Sequence, residues 1–417
     1  MVVVYEALVR DRMERRGNPQ RLRHAGRSTL DLSQRTYVDF LRDKQVAQLG
    51  LNSQREFDEV LTDPAHREAL KPQAYRSFAA EYGILGDERM AAQLARDFAH
   101  LSNAYITDYL CGRGPLRGVE PTVLEMTEEA RTTSDWVDLM ALTNHENDQV
   151  AIEAGRKLYH IHLRAMAWAA EQQTSDAEEQ FHQFDSNIIN HVLNPFERRA
   201  ITIRSTHADS DFAPLHSWEI ATGGDGELAD NQRLTSLPSR TFTTRQGREI
   251  PVYISARIKS DEAVLGKLDK KRGENIGKEI EDKYGIMFVV PNNRDVRELQ
   301  HVLVFRSTQK GFPFSVSDLE NTLDGKPRKK PSIGGAAFVP MLKFIAKQGN
   351  LPVEIIILTY DAYLRHRYQD QVAHDEYELI RLRDVANNIF PPFIYGVDLQ
   401  AHLDETVTKM QAAKRAP

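Results

Sequence analysis

The sequence predicts an α+β protein, with a mostly α-helical N-terminal domain ahead of a mixed β-sheet flanked by helices. Three observations carry that prediction. Helical patterning runs from about Leu30 to Ile203, the composition turns small, polar and acidic after Arg204, and short β-rich runs then alternate with helical stretches. At 417 residues the chain is long for one domain. It reads as a helical domain over 1–203, a linker over 204–235, a sheet domain over 236–395 and a terminal helix over 396–417.

The elements follow in order. Ser53-Gln54-Arg55-Glu56 and Ser175-Asp176-Ala177-Glu178 both have the capping-box pattern, in which each side chain bonds the other's free backbone N–H. A long helix is expected from Glu146 to Gln173, with Val150, Leu158, Ile161, Met166 and Trp168 available for its apolar face. The linker carries one short strand at Trp218–Thr222. RTFTTRQGREIPVYISARI reads as a β-hairpin around Arg245-Gln246-Gly247-Arg248. Downstream come a helix at Asp261–Gly273, a strand at Gly285–Val290, a helix at Asn293–Gln300 and a strand at His301–Arg306. Two further strands (Ala336–Ile345, Pro352–Thr359), a long helix over Tyr360–Asn388 and an amphipathic helix over Leu399–Ala413 complete the pattern. No fixed-period repeat stands out.

Composition narrows the function. Mean hydropathy is below zero and no apolar run approaches the roughly 20 residues of a membrane span, so no membrane role is expected. The start, MVVVYEALVRDRMERR, soon becomes strongly charged and does not suit a secretory signal. With Cys111 as the only cysteine, the chain has no intramolecular disulfide, and a reducing, cytoplasmic setting is expected. The formal net charge of −6 excludes a generally basic polyanion binder, yet cations cluster at Arg12–Arg27, at Lys267-Lys270-Lys271-Arg272 and in the loop GKPRKKP.

Arg257, Lys259 and Lys267 precede Asp282, which sits at the edge of a hydrophobic strand, and Glu354 lies inside another strand. Cations for a polyphosphate and two carboxylates for a divalent metal suit a nucleotide-consuming transferase. Without such a role, Asp282 is a helix-end or turn carboxylate and the cations are a solvated surface. Glu354 within VEIII is harder to dismiss, because a carboxylate in a buried strand is costly unless paired or metal-bound.

The segment from Arg257 to Tyr377 resembles the synthetase domain of the RelA/SpoT homologue family. Its R-x-K loop with a further Lys is matched by Arg257, Lys259 and Lys267, and its Asp before a G-[IV]-x-x-V-V strand by Asp282 and GIMFVV. Its E-x-Q-I-x-T strand is matched at Glu354 and Thr359, and its A-H-x-x-Y at Ala373, His374 and Tyr377. The resemblance covers about a third of the chain. It implies a nucleotidyltransferase-like mixed sheet and transfer of pyrophosphate from ATP to a ribose hydroxyl. It also implies Mg²⁺ on Asp282 and Glu354, with Glu354 helping to deprotonate the acceptor, and Arg257, Lys259, Lys267 and Met287 on ATP. His374 and Tyr377 of the A-H-x-x-Y match would contact the acceptor, and the dense charge of Arg328, Lys329 and Lys330 in the loop GKPRKKP would hold its phosphates, whether it is a nucleotide or an RNA 3′ end.

Departures from the family pattern are informative. Met287 replaces an Arg, Ala263 a Ser, Ile356 a Gln and Leu358 an Arg. Lys330, Ser332, Ile333 and Gly334 stand where the family has Y-x-S-[IL]-H, so the aromatic platform for guanine is missing. Either the acceptor is not the usual guanosine nucleotide or the domain no longer turns over. Two rival readings stay open: a degenerate synthetase fold that senses nucleotides or binds proteins, and a nucleotidyltransferase with the same carboxylate pair. The helical domain would regulate the site or select its target, which leaves a place for a protein partner. Of His145, His160, His162, His182 and His191, the closest pair, His160 and His162, has a poor spacing for metal on a helix. Cys111 has no base beside it, and its neighbouring glycines do not form a Walker loop.

Overall fold

The chain divides into two units, each discontinuous in sequence: one is helical among its described residues, and the other holds the strands together with helices of its own. The structure, a computed structural model, describes residues 49, 51, 53–84, 88–113, 116, 124–172, 176–193, 199–208, 215–221, 228–270, 280–323, 340–369, 379, 382–383, 386–387 and 389–415. One unit comprises Met1–Gln172, Ser260–Gly277 and Arg381–Asp404, the other Gln173–Lys259, Lys278–Ile380 and Glu405–Pro417.

In chain order the described elements begin with α1 (Gln54–Thr62), α2 (Pro64–Tyr82), α3 (Glu88–Ala104), α4 (Glu128–Thr132), α5 (Trp136–Leu142), α6 (Asp148–Glu171) and α7 (Ala177–Asn187). Then come β1 (Arg199–His207), β2 (Leu215–Ile220), β3 (Gln232–Thr243), β4 (Glu249–Ile258), α8 (Asp261–Lys270), β5 (Tyr284–Val290) and α9 (Asn293–Gln309). The series ends with β6 (Ser315–Asn321), β7 (Met341–Gln348), β8 (Leu351–Thr359), α10 (Tyr360–Leu364), α11 (Pro392–Tyr395) and α12 (Leu399–Arg415).

The helical unit is organised on α6. Asn147 caps it by accepting from the Gln149 N–H, and the residues from Val150 to Ala165 are buried on every side. That burial exceeds the one apolar face expected from sequence, and it takes charged groups with it. Lys157 Nζ donates to the carbonyls of Ala130, Arg131 and Thr133 at 2.6, 3.2 and 2.8 Å. Arg156 donates to the Ile389 carbonyl at 2.8 Å and lies over the Phe390 ring. Glu153 accepts from the Thr127 N–H and hydroxyl and from the Tyr395 hydroxyl. Ser53 caps α1 through the Glu56 N–H, as its sequence pattern predicts. Ser175 lies outside the described residues, and Asp176 ahead of α7 has φ 54° with no side-chain cap bond.

The sheet unit holds an eight-stranded mixed sheet in the order β2-β1-β3-β4-β5-β8-β7-β6. β5 and β8 run parallel, and the other neighbouring pairs are antiparallel. The β3–β4 hairpin is as expected, with Gly247 at φ 80° in its turn, where a side chain would be strained. Two expectations are corrected. Residues 199–203 belong to a strand rather than a helix, because Ile203, Ser205 and His207 are buried at period two. His301–Arg306 continues α9 instead of forming a strand, since Val296, Leu299, Val302 and Leu303 form one buried helical stripe.

The two faces of the sheet differ. One carries Ile286, Phe288, Val290, Ile355, Ile357 and Phe344, packed with Phe181 and Phe184 of α7 and the buried stripe of α9. On the other, Val289, Leu358 and Met341 pack with Tyr360, Tyr363 and Leu364 of α10. The candidate site lies on that second face.

Candidate functional site

Strand register assembles the site. Arg257 on β4 is opposite Gly285 on β5, which is opposite Glu354 on β8, which is opposite Ile345 on β7. The next row on the same face reads Ser255, Met287, Ile356, Lys343, and the one after it Tyr253, Val289, Leu358, Met341. Directly opposed residues point to the same side, so polar rows give way to apolar ones along this face. Gly285 is needed where it stands. A Cβ there would lie 3.3 Å from Nε of Arg257, whose side chain crosses β5 at that point to reach Glu354.

Glu354 is 4% exposed and meets two cations, Arg257 at 3.1 Å through Oε2 and Lys343 at 2.5 Å through Oε1. A carboxylate this deep is costly unless its charge is compensated, and here each oxygen has its own cation. Asp282, in the turn before β5, pairs with Lys259 at 2.5 Å, while the Lys259 N–H donates to the Lys283 carbonyl at 2.9 Å. Its neighbour Glu281 pairs with Lys347 of β7 at 2.5 Å. Charges from β4, the β5 turn, β7 and β8 therefore collect at one end of one sheet face.

Four of the residues singled out by sequence take part in this cluster: Arg257, Lys259, Asp282 and Glu354. Met287 lies one row along, half-buried between Ser255 and Ile356. Lys267 sits on α8 in the helical unit. Arg328, Lys329, Lys330, His374 and Tyr377 lie outside the described residues. The sequence reading overlooked Lys343, Lys347 and Glu281. The two lysines alternate with Met341 and Ile345 in MLKFIAKQ, and that period of two is the signal that places them on one face.

Asp282 and Glu354 offer the hard oxygens that Mg²⁺ prefers, with phosphate oxygens and water needed to complete six-coordination. Among the described residues, no group of three or more His, Cys, Asp or Glu side chains could hold a metal ion alone. As they stand, the two carboxylates are held by cations of the protein itself, Asp282 by Lys259 and Glu354 by Arg257 and Lys343.

The other candidate groups have structural partners. His160 is fully buried, its Nδ1 within 2.7 Å of the Ser102 hydroxyl, and burial pulls its pKa down to about 3. His162 Nδ1 meets the Tyr82 hydroxyl at 2.5 Å. The half-buried Cys111 thiol is pushed up by burial, which disfavours the thiolate. Among the described residues, no helix is long and apolar enough to cross a membrane. Compared with known protein families the chain matches none, and no curated protein matches it.

Proposed function

We propose that this end of the sheet binds the polyphosphate of ATP and that the domain transfers its β,γ-pyrophosphate to a ribose hydroxyl of a nucleotide or an RNA 3′ end. The observation that carries the reading is the convergence of Arg257, Lys259, Lys343, Asp282 and Glu354 on one sheet face, from segments up to 97 residues apart. In the reaction, the bond from the bridging oxygen to the β-phosphorus breaks, the acceptor oxygen bonds to that phosphorus, and AMP leaves. Negative charge grows on the bridging oxygen and the β-phosphate. Arg257, Lys259 and Lys343 are positioned to stabilise it, the kind of contribution that dominates phosphoryl-transfer catalysis. Glu354 takes the proton of the attacking hydroxyl. Mg²⁺, held by Asp282 and Glu354, would neutralise phosphoryl oxygens.

The direct test is incubation with labelled ATP, Mg²⁺ and a panel of nucleotides and tRNA, followed by assay for AMP and a labelled acceptor. Asp282→Asn and Glu354→Gln should each abolish transfer while circular dichroism stays wild-type. Turnover at the wild-type rate in either variant removes the assignment. Neutralising Arg328, Lys329 and Lys330 together should raise the acceptor KM and flatten its salt dependence, because phosphate contacts give affinity without base identity.

One observation favours a second reading, a nucleotide-binding module without turnover: both oxygens of Glu354 are already engaged by cations, which weakens it as a base. ATP binding with no AMP release on any acceptor would establish that reading. The helical unit would then serve a protein partner.

A further inference from the structure

Glu354 lies beneath two cations that are far more open to solvent than it is. Its side chain is 4% exposed, against 57% for Arg257 and 28% for Lys343. The cations come from strands on either side of it, β4 and β7, and each takes a different carboxylate oxygen. An anion arriving from solvent therefore meets Arg257 and Lys343 before it meets the carboxylate. A phosphoryl oxygen also accepts charge-assisted bonds from guanidinium and ammonium groups, and a guanidinium suits it particularly well.

We propose that Glu354 is an internal stand-in for a phosphate. It keeps Arg257 and Lys343 aimed at one place and competes with an incoming pyrophosphate group for Arg257. Binding then proceeds by exchange, with Arg257 leaving Glu354 for the ligand. Arg257 is the partner that leaves because it is the more exposed of the two and reaches Glu354 across a glycine. Lys343 stays on Oε1, so exchange never strands a buried carboxylate without a cation. This inference rests on the polyphosphate reading of the site and adds that the protein opposes its own ligand. Such opposition discriminates against a weakly charged anion such as acetate, which gains little by displacing a carboxylate.

The test is calorimetric titration of the full chain with inorganic pyrophosphate, with EDTA present to exclude divalent metal. Glu354→Gln removes the competitor and should bind pyrophosphate at least fivefold more tightly than wild type, although the same variant should be inactive in transfer. Because it also leaves two cations without their shared anion, Glu354→Asp provides a second variant. It keeps the charge but withdraws it by one methylene, and should give a smaller gain. Arg257→Ala should lose affinity. Equal or weaker binding in both Glu354 variants, with wild type still binding, overturns the stand-in while leaving the polyphosphate site. If wild type and all variants fail to bind pyrophosphate, the polyphosphate reading falls, and the stand-in with it.

Discussion

Both units bury charge, but at the centre of α6 and at the sheet cluster it is compensated by different partners. In the helical unit, Lys157 is held by three backbone carbonyls, and Arg156 by a carbonyl and an aromatic ring. These are fixed dipoles within a packed core, and no solute can replace them. In the sheet unit, Glu354, Asp282 and Glu281 are compensated by Arg257, Lys343, Lys259 and Lys347, side chains that are 22% exposed or more. Long solvated side chains can change partner at modest cost. The charges of Arg156 and Lys157 thus rest on fixed groups, and those of the sheet cluster on side chains that have room to move.

The comparison is most directly broken at Arg156. Arg156→Met should lower the stability of the fold by about 3–5 kcal/mol, the usual result of removing one member of a buried charged network. Arg257→Met should cost less, about 1–2 kcal/mol, since that guanidinium is more than half exposed and Lys343 still compensates Glu354. Urea unfolding of both variants measures the contrast, and equal losses would erase it.

A pH profile sharpens the helical side. Burial raises the Asp269 carboxyl to about 7, and no hydrogen bond reaches its Oδ2. An unfolded Asp ionises near pH ~4, so between about pH 4 and 7 the folded state keeps a proton that the unfolded state has lost. Stability contributed by this group is lost as pH rises through that window. Asp269→Asn should match wild type below the window and exceed it above pH 7, by on the order of 4 kcal/mol. Thermal melts at both ends of the range check this, and a constant offset would contradict it.

On the sheet side, and with the proposed transfer as the readout, Lys259→Ala should cost about 2–4 kcal/mol in transition-state stabilisation, read as a fall in kcat/KM for ATP. Unchanged kinetics would reduce Lys259 to a structural partner of Asp282. The smallest effect is expected at the rim. Lys347→Gln breaks only the pair with Glu281 and should cost less than about 1 kcal/mol, vanishing in high salt.

Local signals made much of the fold legible. The hairpin turn at Gly247, the apolar run of β5 and the cap of α1 all lie within a few residues of their cause. β1 gives no strand signal in sequence because its buried positions include Ser205 and His207, polar residues that conceal the alternation. β6 is an exposed edge strand, and Ser-Val-Ser-Asp gives no apolar run to find. The site was legible as residue types and not as partners. Glu354 stood out because its neighbours are Val and Ile, but its union with Arg257 depends on register across β5, and that with Lys343 on the β7–β8 pairing. No short sequence window contains that information.

The parallel pairing of β5 with β8 also sets an order of assembly. The β3–β4 hairpin and the β7–β8 hairpin each close over short turns, on the microsecond scale typical of hairpins. Joining β5 to β8 must instead close a long loop through α9, β6 and β7, and contacts of such high sequence separation slow folding. Arg257 and Glu354, on opposite sides of that seam, meet only once it has closed. The charge cluster is thus a product of the finished topology: a chain arrested before the seam forms would have its helices and hairpins but would leave Glu354 without Arg257.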